Sequence, residues 1–179
     1  MLKVRFYFLL FLSSFLFLGC SNTNKVPLYE RECVFCDQKV LNGRAFYEDN
    51  LVIGLLTHKP ATPGHALIIP KRHVCRFEDL TSEEIISIGK FIKKVHQVIS
   101  KIYGTSSYLL LQKNGEEAGQ TVPHVHFHYI PRKIGAGSPT LFFLTYVLSS
   151  LKNPMSVETM SEQISKIKDE FINLDLAVA

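Results

Sequence analysis

Apolar residues recur along this chain in two periods, one helical and one extended. Thr81 and Glu84 form a T-x-x-E capping box, and Ile85, Ile88, Ile92, Val95, Ile99 and Ile102 follow at steps of three and four. This pattern predicts a long amphipathic helix that ends at Gly104. Val157, Met160, Ile164, Ile167 and Phe171 predict a second helix over 156–174. Between and before these lie β-prone runs. Phe46-Tyr47 and Leu51 to Leu56 are separated by the turn signal Asp49-Asn50. His65 to Ile69 is entered through Pro63-Gly64 and closed by Pro70. Ser107 to Leu111 and His124 to Ile130 read as strands, with Gly115 to Gly119 as the loop between them. Strands surrounding one long helix predict an α+β fold with an antiparallel sheet. The apolar run Leu141 to Leu148 fits a buried strand, a helix turn or a partner contact, and burial in the core is the expectation. The chain shows no internal repeat and no low-complexity segment.

Composition narrows the class. The chain has 179 residues, 46% apolar and 20% charged, which fits one globular domain with a short appendage and excludes wholesale disorder or a fibrous repeat. No apolar run reaches the 18 residues of a spanning helix, so a polytopic membrane protein is excluded. Four cysteines do not make a disulfide scaffold. The chain opens with Lys3 and Arg5 and then a 13-residue apolar stretch, Phe6 to Leu18. As a helix it would span roughly 20 Å, short of a bilayer core of about 30 Å, so a secretory signal fits better than an anchor. Leu16-Phe17-Leu18-Gly19-Cys20 resembles a bacterial lipoprotein cleavage box, with Phe17 where Leu is usual. That resemblance implies a signal peptide over 1–19 and lipidation of Cys20. An uncleaved signal anchor is the alternative, and either form holds an exported domain at a membrane of the bacterial cell envelope. Residues 20–32 then form a polar tether, and 33–179 the domain. Without Lys3 and Arg5 the net charge falls from +4 to +2, too weak a balance to imply a nucleic-acid partner.

The most informative segment is His124-Val125-His126-Phe127-His128-Tyr129-Ile130. On a strand, side chains alternate faces, so the three imidazoles share one face while Val125, Phe127 and Tyr129 pack behind. Imidazole serves both metal ligation and proton or nucleophilic chemistry near neutral pH. Gly119-Gln120-Thr121-Val122-Pro123-His124-Val125-His126-Phe127-His128-Tyr129-Ile130-Pro131-Arg132 resembles the signature of the histidine triad (HIT) family of nucleotidyl hydrolases and transferases. Pro63-Gly64-His65-Ala66-Leu67-Ile68-Ile69-Pro70-Lys71 and Cys33-Val34-Phe35-Cys36 resemble two further family segments, so the likeness spans roughly Cys33 to Arg132.

The resemblance implies a five-stranded antiparallel sheet with one long helix and a C-terminal helix, commonly paired into a homodimer. It implies a nucleotide substrate attacked at its α-phosphorus by His126, giving a covalent nucleotidyl-histidine that water then hydrolyses. His128 would hold the phosphate oxygens, His65 would orient the triad, and Gln120 and Thr121 would donate hydrogen bonds to the phosphate and the leaving group. Asn114 is either a phosphate contact or the turn residue of Asn114-Gly115. No metal is required for this displacement. Cys33, Cys36, His73 and His124 repeat a pattern of zinc-bearing relatives, which implies a structural tetrahedral zinc. In an exported protein, a Cys33–Cys36 disulfide or two free thiols are the alternatives. Cys75 is then left unpaired, with a buried inert thiol as the expectation. Thr57 stands where relatives carry the Asp or Asn that accepts the ribose hydroxyls, which puts ribose recognition in doubt. His58 and His96 read as surface or helix-face residues without function. The expected function is hydrolysis of a dinucleoside polyphosphate or a nucleoside phosphoramidate to release a nucleoside monophosphate. The alternative is a catalytically silent zinc-binding or envelope interaction module on the same scaffold. A transferase is disfavoured, because that branch has Pro between two histidines and lacks the third, whereas this chain has Val125 and a full triad.

Overall fold

The computed structural model describes residues 26–178; the expected signal peptide and Cys20 lie outside the described residues. Five strands form one antiparallel sheet: β1 (Ala45–Glu48), β2 (Val52–Leu56), β3 (Ala66–Pro70), β4 (Ser107–Gln112) and β5 (Phe127–Arg132). Their spatial order is β1-β2-β3-β5-β4. Helix α1 (Gln38–Arg44) precedes the sheet, α2 (Ser82–Tyr103) joins β3 to β4, and α3 (Pro139–Leu148) and α4 (Val157–Val178) follow β5. The C-terminal helix thus runs four residues beyond the expected 156–174.

Helix α2 begins where the capping box places it. The Glu84 backbone N–H donates to Thr81 Oγ1 at 3.1 Å, and the Thr81 N–H donates to Glu84 Oε2 at 2.8 Å. Arg72 donates to both oxygens of the same carboxylate at 2.9 and 2.8 Å, tying the helix start to the exit of β3. Gly104 ends the helix in the left-handed region at φ +63°. The buried stripe is Ile88, Phe91, Ile92, Val95, Val98 and Ile99, whereas Ile85 lies exposed one turn too early to reach the sheet. This stripe packs on the face of the sheet that carries Val52, Leu56, Ala66, Ile68 and Tyr129. Met160, Ile167 and Phe171 of α4 complete that core, and Phe171 stacks on Phe46 and Phe91 with ring centroids 5.9 Å away from each.

The opposite face is covered in two places. Phe35 packs on Ile53, Leu55, Leu67 and Ile69. Tyr146 of α3 packs with Ile130 and Ala61. Strands β2 and β3 are therefore buried on both faces. Within the stretch expected as a polar tether, Leu28 is buried in a 3-10 turn and Arg31 pairs with Glu116.

Two expectations need correction. First, the β5 ladder starts at Phe127, opposite Ile68 and Gln112, rather than at His124. The preceding residues bend and bond elsewhere, with the His124 N–H donating to Val122 O at 2.8 Å and the Val125 N–H to Val74 O at 2.7 Å. Second, Leu141 to Leu148 is a helix and not a core element. Ser138 caps it by accepting from Leu141 N–H, and only Tyr146 is buried. The run is apolar all round, yet only the side with Phe142 and Tyr146 reaches the body of the domain.

Two glycines test this packing with opposite signs. Gly64 sits at φ +81°, and a Cβ there would lie 2.9 Å from Ile99 Cγ2. Gly64→Ala should lower stability by about 2 kcal/mol or more. Gly89, on the exposed side of α2 with open space around it, should gain about 0.5–1 kcal/mol as Ala. Urea unfolding midpoints of the two variants check both signs.

Candidate active site

Neutral imidazole has one N–H donor and one bare nitrogen, and the partner of one nitrogen fixes the state of the other. Four histidines around β3 and β5 can be assigned in this way. His65, just before β3, accepts from the buried Ala61 backbone N–H through Nδ1 at 3.1 Å. Its proton is therefore on Nε2, which lies 3.0 Å from His128 Nδ1 and donates to it. The His128 proton is then on Nε2, a donor left for a ligand. His126 Nδ1 donates to His124 O at 2.7 Å, which leaves His126 Nε2 bare. His124 Nε2 donates to Pro70 O at 2.9 Å, which leaves its Nδ1 bare.

The neutral state is enforced by burial. Desolvation holds His65 down to about 3 and His128 down to about 2, the latter helped by the neighbouring His126, His65 and Lys113. Burial lowers His126 and brings His124 down to about 4. Among the described residues no carboxylate is hydrogen-bonded to these four rings.

His65, His126 and His128 line one cleft of roughly 490 Å³. Thr57 and Thr121 line it too, as the sequence suggested. Gln120 and Asn114 turn elsewhere. Gln120 Oε1 accepts from Gly115 N–H at 2.7 Å, and its Nε2 donates to Cys75 O and Val122 O at 3.0 and 2.9 Å. The side chain is a buried staple of the 115–122 loop, with its polar atoms taken up by backbone. Asn114 accepts from Phe77 N–H at 2.8 Å and donates to Glu78 at 2.7 Å. Its amide holds two loops together and does not line the cleft.

The cleft also contains residues that sequence reasoning passed over. His58 and Lys59 line it, although His58 reads from sequence as a surface residue. Lys113 lines it and stands over the Tyr146 ring at 5.5 Å. Tyr146, Val147, Ser149 and Ser150 close one side from α3 and the turn after it. The Tyr146 ring lies 5.4 Å from that of His128. Nothing in the local sequence of the apolar run signals that it returns to the histidines. His96, in turn, is part of the scaffold: its Nδ1 lies 2.9 Å from the Tyr129 hydroxyl.

The bare Nδ1 of His124 faces a second centre. It lies 3.4 Å from Cys33 Sγ and 3.8 Å from Cys36 Sγ, and Cys36 Sγ lies 3.3 Å from His73 Nδ1. The four donor atoms of Cys33, Cys36, His73 and His124 all lie within 4.8 Å of one another. Tetrahedral S₂N₂ coordination at ordinary bond lengths has edges of about 3.3–3.8 Å, so the set can hold a metal ion. Cys33, Cys36 and Cys75 are free thiols. Cys75 is half-buried, 3.4 Å from His73 Nε2 and 3.3 Å from Pro123 O.

A triad of neutral histidines at the mouth of a five-stranded α+β sheet, beside a Cys₂His₂ cluster, defines a histidine-triad protein. Residues 38–135 match the HIT domain, and the chain belongs to the HIT family. An uncharacterised HIT-like protein of Methanocaldococcus jannaschii is 40% identical over 62% of this chain and 86% of its own length. The adenosine 5′-monophosphoramidase of Schizosaccharomyces pombe is 36% identical over 76% of this chain and 98% of its own. The asymmetrical bis(5′-nucleosyl)-tetraphosphatase of the same yeast is 43% identical over 52% of this chain, which spans about half of that protein's length (51%). HIT-family hydrolases are thus among its relatives. Of solved structures, a zinc-bound histidine triad family protein from Mycobacterium smegmatis superposes with a TM-score of 0.62 at 25% identity, covering 82% of this chain and 97% of that one.

Burial of His65 and His128 makes stability pH-dependent. In the unfolded chain each binds a proton near pH 6.5, whereas in the fold each stays neutral far below that. The unfolded state therefore holds more protons below about pH 6.5, and stability is lost as pH falls. The expected slope approaches about 1.4 kcal/mol per pH unit for each ring. Urea midpoints at about pH 7.5, 6 and 5 should fall in that order, and His65→Gln should flatten the slope.

Proposed function

We propose that this protein is a nucleotidyl hydrolase that cleaves a dinucleoside polyphosphate or a nucleoside phosphoramidate through a nucleotidyl intermediate on His126. The observation that carries this reading is the His126 Nδ1 bond to His124 O, which leaves Nε2 as a lone pair in a ligand-sized cleft. That lone pair attacks the α-phosphorus, forming the N–P bond as the bond to the leaving oxygen or nitrogen breaks. The His128 Nε2–H, Lys113 and the Thr121 hydroxyl stabilise charge on the phosphoryl oxygens. Water then attacks the same phosphorus and breaks the N–P bond, which releases the nucleoside monophosphate and restores the ring. Both substrate classes agree with the named activities of the yeast relatives. Thr57 offers the ribose one hydroxyl in place of a carboxylate.

Zinc is the metal best suited to the Cys33, Cys36, His73 and His124 set, and its role would be structural. All four positions of a tetrahedral ion would be filled by protein, so no step of the reaction runs through it. It would fix the CxxC segment to the sheet and lock the His124 ring. We read residues 1–19 as a signal peptide with lipidation at Cys20, which places the enzyme on the exported side of a bacterial membrane, as a homodimer and without a nucleic-acid partner.

Three outcomes test this reading. His126→Ala should abolish turnover of a dinucleoside tetraphosphate and of a nucleoside phosphoramidate, a loss of at least about 10³-fold, with its metal content unchanged. Labelled nucleotide should be trapped covalently on His126 of the unsubstituted protein after a denaturing alkaline quench, since an N–P bond survives alkali and not acid. Silence of both proteins towards both substrates would instead favour the metal-binding interaction module. Separately, Cys36→Ser should lower bound zinc, measured by elemental analysis, and lower thermal stability by several degrees.

A further inference from the structure

The surface around α3 is unlike the rest of the molecule. Leu141, Phe143, Leu144, Val147 and Leu148 are each about half exposed on one short helix, and Ile134 and Leu151 at its two approaches are 88% and 80% exposed. Isolated exposed apolar side chains are ordinary, but seven within eighteen residues form a patch. The charge pattern is equally one-sided. Between Glu117 and Glu158 the chain carries no acidic side chain, and its fixed charges there are Arg132, Lys133 and Lys152. The patch is therefore apolar in the middle and cationic at both ends.

We infer that α3 and its flanks are a docking surface for an anionic lipid bilayer. A ten-residue helix is about 15 Å long and does not cross a hydrocarbon core of about 30 Å, but it can lie in the interface. There the leucines and Phe143 enter the acyl boundary, while Lys133 and Lys152 reach anionic headgroups. A second copy of the same patch is a poorer occupant, because it would set these cations against their own kind with no acidic partner. The chain's own start supports the orientation. Pro27 and Leu28 line one hollow with Gly115, Glu116 and Gln120, and Arg31 pairs with Glu116, in the loop whose Gly119 lines the active-site cleft. Only five residues separate Cys20 from Val26, six steps with a reach of at most about 20 Å. The inference rests on the membrane tether proposed above, and it adds that the body of the domain lies down beside that tether. Val147 belongs both to the patch and to the cleft lining, so the mouth of the active site would open at the headgroup level.

Hydrogen exchange of the full chain with vesicles tests this. With phosphatidylcholine vesicles containing phosphatidylglycerol, flotation should carry the protein with the lipid, and exchange over 139–148 should slow by about tenfold. Protection should be weaker on phosphatidylcholine alone and should be lost in L144S/L148S, two exposed positions whose change leaves the core intact. Flotation without slowing over 139–148 would overturn the docking surface while leaving the tether in place. Failure to float would overturn both. Slowing over 139–148 without lipid, rising with protein concentration, would assign the patch to a second copy and overturn the lipid reading.

Discussion

The site depends on histidines buried without a counter-charge. A buried imidazolium would be costly here, so each ring stays neutral and has one proton to place. Backbone then decides where that proton sits. The carbonyls of Pro70 and His124 take donors from His124 and His126, and the amide of Ala61 forces the opposite tautomer on His65. The relay from His65 to His128 follows from that single amide. Three backbone groups thus set the states of four side chains, and a bare nitrogen on His126 results without any neighbouring base.

The segment that leads into β5 and its first residues serve two centres at once. Alternation buries Val125 and Tyr129 in the core shared with α2 and α4, with Phe127 partly buried beside them, and sends His124, His126 and His128 to the other side. His124 then faces the Cys33, Cys36 and His73 cluster while its own carbonyl orients His126. The Val125 bond to Val74 holds this segment against the chain that carries His73 and Cys75. The Cys₂His₂ cluster and the bare nitrogen of His126 are therefore joined through one peptide unit. Disturbance of either would be felt at the other through the position of that carbonyl.

Helix α3 illustrates a different constraint. It is the most apolar helix of the fold, yet only Tyr146 is buried, because both faces of β2 and β3 are already covered by other groups. A helix with nowhere left to bury its remaining sides exposes them. The same placement brings Tyr146 and the Ser149-Ser150 turn to the cleft that holds the triad.

Much of the scaffold was legible in the chain because the signals are local. The capping box and three-four periodicity fixed α2, and β-prone or apolar runs between turn residues marked all five strands. The HIT-like motif located His65, His126 and His128, and these meet in one cleft at the starts of the adjacent strands β3 and β5. What the sequence could not reveal depends on where separate segments arrive. Gln120 and Asn114 are polar residues in the right loop, but distant backbone groups at Cys75 and Phe77 claim their side chains. His58, Lys113 and Tyr146 reach the cleft from three different connections, so no spacing rule links them. The residue types in the 124–130 segment determined that chemistry would occur there. Only the packed fold determined which nitrogen of each ring was left bare, because the carbonyl and amide that decide it lie in other parts of the chain or depend on its exact path.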